Sequence, residues 1–467
     1  MIKDTSEVKL MINHKASKPV AIIGGGITGL AAAWELQKQG IPYTLFEASD
    51  RLGGKVVTEH IDGFTIEGGP DSFLTTKPWA WQLCDELGLH ERMIGTNDAQ
   101  RNVFILKDGK LHPFPKGMRL IVPLDEAGLL ASDLLSDEGK RRMLAEVELQ
   151  PYDTPADESL ASFMRRHFGQ EAVDTFVEPL LAGIYVGDPE QMSVRATYPQ
   201  YVEMERTHGS LIRAMRAAPS TVPDPLAPKT AFFSLRGGTQ ELIDTLASKL
   251  TGEIRLNTSI TTGLDSFVAD HHYAAVIAAI LNASITPDES GDFRSSYNTL
   301  LAQPMASSTV VSLGYRRSDV AFDLNGFGFV IPSAEPTAMK ACTWSSTKLP
   351  GRAPEDEVLI RLFLKPSGSD QSAVIAIARD ALEKTLAIPC EQTPIVSNVS
   401  FWKNPAYTVG HLERLERLES ASPEGVFLAG CGYRGVGVPD CIHQGQIAAQ
   451  KAIAHLSGNQ PNKANYP

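Results

Sequence analysis

The stretch Val20-Ala21-Ile22-Ile23-Gly24-Gly25-Gly26-Ile27-Thr28-Gly29-Leu30-Ala31-Ala32-Ala33-Trp34-Glu35-Leu36-Gln37-Lys38-Gln39-Gly40 decides the fold. Its first four residues are apolar and rich in β-branched side chains, as a buried strand requires. A helix-forming run starts near Leu30, and Gly40 suits the position just past its end. Tyr43-Thr44-Leu45-Phe46-Glu47 reads as a second strand, and its terminal acid lies 18 residues beyond Gly29. Strand, glycine turn, helix and strand make a dinucleotide-binding βαβ unit. Gly24 makes the tight turn, Gly26 lets a pyrophosphate reach the backbone, and Gly29 lets helix pack on strand. The helix start, Gly25 to Thr28 with Ile27 between, offers free N–H groups and a positive dipole end to phosphate. Glu47, with Ala48 beside it, is placed to accept hydrogen bonds from ribose hydroxyls. A carboxylate there repels a 2′-phosphate and so disfavours NADP.

Further glycine-rich segments lie outward from this unit. Arg51-Leu52-Gly53-Gly54-Lys55 follows the second strand directly. Arg51 and Lys55 can neutralise phosphate, and Gly54 permits close approach. A simple NAD domain has no use for this element, whereas a flavoprotein with two dinucleotide folds does. Gly63-Phe64-Thr65-Ile66-Glu67-Gly68-Gly69-Pro70-Asp71-Ser72-Phe73 comes next. Far along the chain, Gly425-Val426-Phe427-Leu428-Ala429-Gly430-Cys431-Gly432-Tyr433-Arg434-Gly435-Val436-Gly437-Val438-Pro439-Asp440-Cys441-Ile442 reads as strand, loop and helix. Pro439 suits the first helical position. Such a helix start, aimed at an isoalloxazine ring, favours the anionic reduced flavin. Gly437 and Val438 are the candidates for that contact. Cys431 and Cys441 raise the question of covalent flavin attachment, and we read them as small buried thiols.

Together these motifs carry a resemblance. The chain resembles the bacterial porphyrinogen oxidases of the flavin amine-oxidase superfamily along nearly its whole length. The more specific marks are Gly69-Pro70-Asp71-Ser72-Phe73-Leu74, Leu181-Ala182-Gly183-Ile184-Tyr185-Val186-Gly187-Asp188-Pro189 and Glu203-Met204-Glu205-Arg206-Thr207-His208-Gly209-Ser210-Leu211. Leu349-Pro350-Gly351-Arg352-Ala353-Pro354 and, above all, Gly435-Val436-Gly437-Val438-Pro439-Asp440-Cys441-Ile442 complete them. Ala275-Val276-Ile277-Ala278-Ala279-Ile280 and Asn404-Pro405-Ala406-Tyr407 depart from the usual family runs. The resemblance implies non-covalent FAD, with contacts at Gly24 to Gly29, Glu47, Ala48, Arg51, Gly54, Lys55 and Gly69 to Ser72, Pro70 and Asp71 included. It adds Ile260 against the adenine, Trp402, Gly430, and Val436 to Val438 at the ring. It also implies six-electron oxidation of a porphyrinogen by molecular oxygen. The likeness is to the Gram-positive type, which favours coproporphyrinogen III over protoporphyrinogen IX. The chemistry belongs to the flavin, so no catalytic acid, base or metal is assigned. His411 and His443 are read as structural. The substrate's propionates call for cations, of which Lys77 is the first candidate and Arg206 and Arg213 are secondary.

Composition excludes other classes. The 467 residues are 43% hydrophobic and 21% charged, with 43 Lys+Arg against 55 Asp+Glu. A net charge of −12 argues against a nucleic-acid binder. Five scattered cysteines exclude a disulfide framework and fit a reducing, cytoplasmic setting. No apolar run reaches the ~18 to 20 residues of a membrane span, though a peripheral contact with the inner membrane face stays open. Residues 1–18 read as a polar extension, not a signal peptide. Monomer and homodimer both fit.

The fold class is α/β. A Rossmann-like FAD-binding domain is assembled from discontinuous segments, residues 1–76, 229–290 and 415–467. A helical insertion spans 77–198 and is the part that could face a membrane. A mixed-sheet substrate domain takes 199–228 and 291–414. An amine oxidase or carotenoid desaturase is the first competing reading, although no aromatic cage is evident. A catalytically silent nucleotide-binding protein and an NAD-dependent dehydrogenase are further ones. The dehydrogenase leaves the C-terminal glycine-rich element unused.

Overall fold

The computed structural model describes residues 18–152, 156–182, 187–218, 224–269, 272–288, 290–366, 368 and 370–458. The expected N-terminal extension, residues 1–17, and the centre of one family motif, residues 183–186, lie outside them.

The strand Val20–Ile23 is buried at every position. It is central in a five-stranded parallel sheet, ordered Glu253–Arg255, Tyr43–Phe46, Val20–Ile23, Ala275–Ala278, Val426–Leu428. A parallel sheet is covered on both faces, which is why its strands read as continuous apolar runs. Side chains alternate between the faces. Val20, Ile22, Leu45 and Ile277 pack under the helices Ile27–Lys38 and Val438–Leu456. Ala21, Ile23, Val276 and Ala278 pack on the other side with Tyr297, Leu415 and Leu418. The two helices cross closely because the contact is made of small residues. A Cβ on Gly445 would stand 2.2 Å from the Thr28 carbonyl oxygen.

A seven-stranded mixed sheet forms the second body, with Met305–Arg316 between Val396–Pro405 and Glu357–Leu364. One face carries Val311, Leu313, Ile360 and Leu362 against the helix Gln371–Leu386. The other face meets the loop at residues 68–72. Trp402 Nε1 donates to the Gly68 carbonyl at 2.6 Å, and Arg361 donates to the Gly69 carbonyl.

Two departures from the expected boundaries have packing causes. Val103–Lys107 and Lys110–Pro113, placed by sequence in the helical insertion, form an edge of the seven-stranded sheet, Val103 pairing with Gly328. Conversely, the helices Pro199–His208 and Leu211–Ala217 join the helical body, because Tyr201, Leu211, Ile212 and Met215 fill its core beside Phe163, Phe168 and Phe176. That body also buries an ionic knot. His167 lies between Glu146 (2.7 Å) and Glu205 (3.1 Å), all three almost wholly enclosed. Burial alone would lower the imidazole pKa, but the two carboxylates outweigh it and raise it above 6.5.

Candidate functional site

Gly24 has φ +110°, so its turn needs glycine. A Cβ on Gly29 would stand 2.0 Å from the Gly24 carbonyl oxygen, so this glycine serves the fold. Gly26 differs. Its φ is an ordinary −72°, and a Cβ there would meet nothing within 4 Å. It borders open space at the start of the helix Ile27–Lys38, which has no side-chain cap. The Arg51–Lys55 loop stacks against this turn. Gly53 bridges Gly26, and Gly53 N donates to the Gly25 carbonyl at 2.8 Å.

The helix Val438–Leu456, 19 residues long, begins at Gly437 and also lacks a side-chain cap. Through the Gly445–Thr28 crossing the two long helices lie side by side. Uncapped N–H groups at both starts are what an anionic, two-part cofactor needs. The open position at Gly26 is where a pyrophosphate fits, and FAD thus suits the residues present.

Glu47 is oriented rather than loose. Its Oε2 accepts from Gly25 N at 2.7 Å, and its Oε1 accepts from Ser49 N at 2.8 Å and Ser49 Oγ at 2.7 Å. Ile260 sits partly buried in the cluster beneath Phe46, beyond Thr258, whose N–H donates to the Glu47 carbonyl. Ala48 is exposed beside it.

The cations expected for phosphate are otherwise engaged. Arg51 donates to the carbonyls of Leu52, Gly54 and Val56, so it shapes its own loop. Lys55 Nζ donates to the Lys403 carbonyl and to Asn404 Oδ1, both at 2.6 Å. Asn404 is one of the positions that depart from the usual family run, and here it ties the loop to the second sheet.

The cations expected for substrate also have partners. Lys77 Nζ binds both Asp440 oxygens at 2.6 and 2.7 Å, at the start of the C-terminal helix. Arg206 pairs with Glu203 on the exposed face of its helix. Arg213 is capped by the carbonyls of Val147, Leu149 and His208. Arg213 therefore ties two segments of the helical body, whereas Arg206 pairs only within its own helix. Neither stands as an open carboxylate site.

Sequence reading missed a charged cluster between the bodies. Asp71 accepts from Lys348 Nζ at 2.9 Å and from Ser72 Oγ at 2.7 Å, with Arg361 at 3.6 Å. Burial opposes its ionisation, but Lys348 and Arg361 hold its carboxyl well below the usual range. Glu67, whose pKa burial pushes up, accepts from Thr58, Thr239 and Arg352. Arg361 interrupts the apolar run Val358-Leu359-Ile360-Arg361-Leu362. A charge inside such a strand is the signal that marks a buried pair.

His411 is structural, as expected. It is fully buried, its Nδ1 is 2.6 Å from the Gln303 side chain, and its Nε2 is 2.7 Å from the Tyr433 carbonyl. Burial, aided by Arg414 and Arg434, lowers its pKa to about 4. His443 stacks on Trp79 with ring centroids 4.0 Å apart. Of the two thiols expected to be buried, Cys441 is buried and Cys431 is half-buried.

Residues 27–453 match the profile of the flavin containing amine oxidoreductase family. The coproporphyrinogen III oxidase of Bacillus subtilis (strain 168) is 35% identical, the match covering 94% of this chain and 98% of the relative. The coproporphyrinogen III oxidase of Staphylococcus aureus is 30% identical over 94% of this chain and 100% of its own. A solved structure from Exiguobacterium sp. 255-15, described provisionally as a protoporphyrinogen oxidase, is 31% identical with a TM-score of 0.74. That match covers 95% of this chain and 99% of the other.

Proposed function

This chain belongs to the flavin containing amine oxidoreductase family, and from that membership we propose that it oxidises coproporphyrinogen III to coproporphyrin III in haem biosynthesis. It is an FAD-dependent oxidoreductase of the porphyrinogen-oxidising kind. Bound FAD supplies hydride acceptance, two electrons in each of three rounds. One porphyrinogen and three molecules of oxygen then give one porphyrin and three of hydrogen peroxide, which balances the six electrons and six hydrogens.

The observation that carries the reading is the open position at the uncapped helix start at Gly26, with a second uncapped start at Gly437 on the helix that crosses the first. The N–H groups after Gly26 hold the pyrophosphate. Glu47 accepts from the adenosine ribose, where each charge-assisted hydrogen bond contributes about 1.5 to 3 kcal/mol. The start at Gly437 and Val438 would hold the flavin ring, its positive dipole end suited to negative charge there. Trp402 and Arg361 clamp the carbonyls of Gly68 and Gly69, so the loop 68–72 is held against the site. Lys77 is the cation we assign to a propionate. It must exchange Asp440 for the substrate carboxylate, and that exchange limits its net contribution.

No helix among the described residues is long and apolar enough to cross a membrane. We place the protein in the cytoplasm, working as monomer or homodimer, with peripheral membrane contact as the route for a poorly soluble substrate. Protoporphyrinogen IX is the second reading, favoured by the description of the Exiguobacterium structure. Another FAD amine oxidase or desaturase of the superfamily is the third. Porphyrin fluorescence with both porphyrinogens in air separates the three. The expected result is faster appearance of coproporphyrin, and no porphyrin from either would overturn the proposal. Acid precipitation should leave the flavin in the supernatant.

A further inference from the structure

The start of the C-terminal helix carries an ion pair beside its bare N–H groups. Asp440 lies in the first turn of the helix Val438–Leu456. A Cβ on Gly437 would stand 2.9 Å from Asp440 Oδ2, and one on Gly435 would stand 2.5 Å from Asp440 Cβ. The carboxylate therefore lies against the backbone that opens the helix. Lys77 Nζ binds both of its oxygens, at 2.6 and 2.7 Å, and closes the pair from a separate segment. Among the described residues no other cation stands within ion-pair distance of Asp440.

The pair is built so that the cation, not the anion, can change partner. Lys77 N donates to the Leu74 carbonyl at 3.3 Å, and two residues on Trp79 stacks on His443 with ring centroids 4.0 Å apart. His443 stands three residues past Asp440, on the same face of the helix. The segment 77–79 is thus docked on the helix at two points, which fixes the Lys77 backbone. The Lys77 side chain is 40% exposed and that of Asp440 only 20%. A dissolved anion reaches the ammonium, while the carboxylate stays against Gly437.

We propose that the Lys77–Asp440 pair couples carboxylate binding to the charge on the cofactor. A ligand carboxylate that takes Lys77 leaves Asp440 unpaired, and its bare charge at the helix start disfavours the reduced, anionic flavin. This rests on the reading above, which places the flavin at Gly437 and Val438 and a propionate at Lys77. One positive dipole end then serves two anions, and Lys77 decides how strongly they compete. The coupling is reciprocal. A carboxylate ligand is held more tightly by the oxidised than by the reduced protein, so each reduction loosens the grip at Lys77.

The test measures binding of coproporphyrin III, the proposed product, to the flavin-loaded protein by fluorescence anisotropy under nitrogen. Oxidised and dithionite-reduced protein are compared at low salt and pH 8, where burial keeps the His443 imidazole neutral. The wild type should bind about tenfold more weakly when reduced. Asp440→Asn should bind more tightly than wild type when oxidised, because Lys77 has no carboxylate to release. Its oxidised and reduced affinities should agree within about twofold. In Lys77→Met, Asp440 is unpaired from the outset. Its ligand-free flavin should be reduced at a potential about 30 mV below wild type, the same tenfold converted for two electrons. If Asp440→Asn does not fold, the wild-type ratio and the Lys77→Met potential decide. Equal wild-type affinities in both states, a tenfold ratio that persists in Asp440→Asn, or an unshifted Lys77→Met potential would each overturn the coupling and leave the function proposed above standing. A protein that binds no flavin, or no coproporphyrin in either state, would overturn both.

Discussion

The five-stranded and seven-stranded sheets present opposite kinds of surface to the loop at residues 68–72. The first offers backbone: bare helix starts at Gly26 and Gly437, and an open position at Gly26. The second offers a side-chain charge that already has partners, Arg361, which donates to the Gly69 carbonyl and faces Asp71. Backbone N–H groups can receive an anion without giving anything up. Paired cations must first release a carboxylate. On the proposed function the cofactor takes the first surface, and a substrate carboxylate meets Lys77 beside the Val438 helix start, where release of Asp440 limits the net gain.

The largest expected effect separates two neighbouring glycines. Gly29→Ala forces a methyl onto the Gly24 carbonyl. Flavin and folded protein should be lost together, at a cost of roughly 1 to 3 kcal/mol or more. Gly26→Ala has room and an ordinary φ, so the apoprotein should be as stable as wild type or up to about 1 kcal/mol more stable. Its flavin affinity should nevertheless fall at least about tenfold, because the methyl fills the phosphate approach. Flavin titration and apoprotein melts read the two effects separately. Equal flavin affinity in Gly26→Ala would move the pyrophosphate elsewhere.

The next effect contrasts two buried histidines. His411 has a folded pKa of about 4 against an ordinary 6.5. Its stabilising contribution is complete above 6.5 and is lost as pH falls toward 4, on the order of 3 kcal/mol in all. His167 is raised, so its contribution is complete below 6.5 and is lost as pH rises through its folded value. Hydrogen exchange corrected for intrinsic rates should show protection of His411–Ala421 falling with acid and that of Leu160–Phe168 falling with base. Equal slopes in both helices would break the contrast.

Glu47→Gln should weaken flavin binding by about 1.5 to 3 kcal/mol, measured by flavin titration. Lys77→Ala should raise KM a few fold with kcat nearly unchanged, the signature of lost uniform binding. The increase should be larger for coproporphyrinogen III, which carries more carboxylates, and it should shrink with added salt. Arg206→Ala, at an exposed i,i+3 pair, should change stability by about 0 to 1 kcal/mol and KM not at all.

The same contrast explains what could be read from the chain. Gly24 to Gly29, Glu47 and the Val438 helix start were legible because a helix start is a local event, encoded in a few consecutive residues. Val103–Lys107 reads as part of the helical insertion but pairs into the seven-stranded sheet, because strand partners are chosen by tertiary contact and Gly328 lies far along the chain. Lys77, Arg206 and Arg213 could be named as cations. The partners Asp440 and the Val147 carbonyl lie far along the chain from Lys77 and Arg213, so spacing does not carry them, whereas Glu203 stands at the i,i+3 spacing of a helical pair with Arg206. The Asp71–Lys348–Arg361 cluster joins residues from three separate segments, and only the lone charge in an apolar strand hinted at it.

The most direct test of the central claim is an anaerobic titration of the flavin-loaded protein with coproporphyrinogen III, followed by flavin absorbance and porphyrin fluorescence. The expected result is bleaching of the flavin with porphyrin-type fluorescence appearing only after air restores turnover through all three rounds. Flavin that stays oxidised in excess porphyrinogen, or a protein that binds no flavin at all, would contradict it.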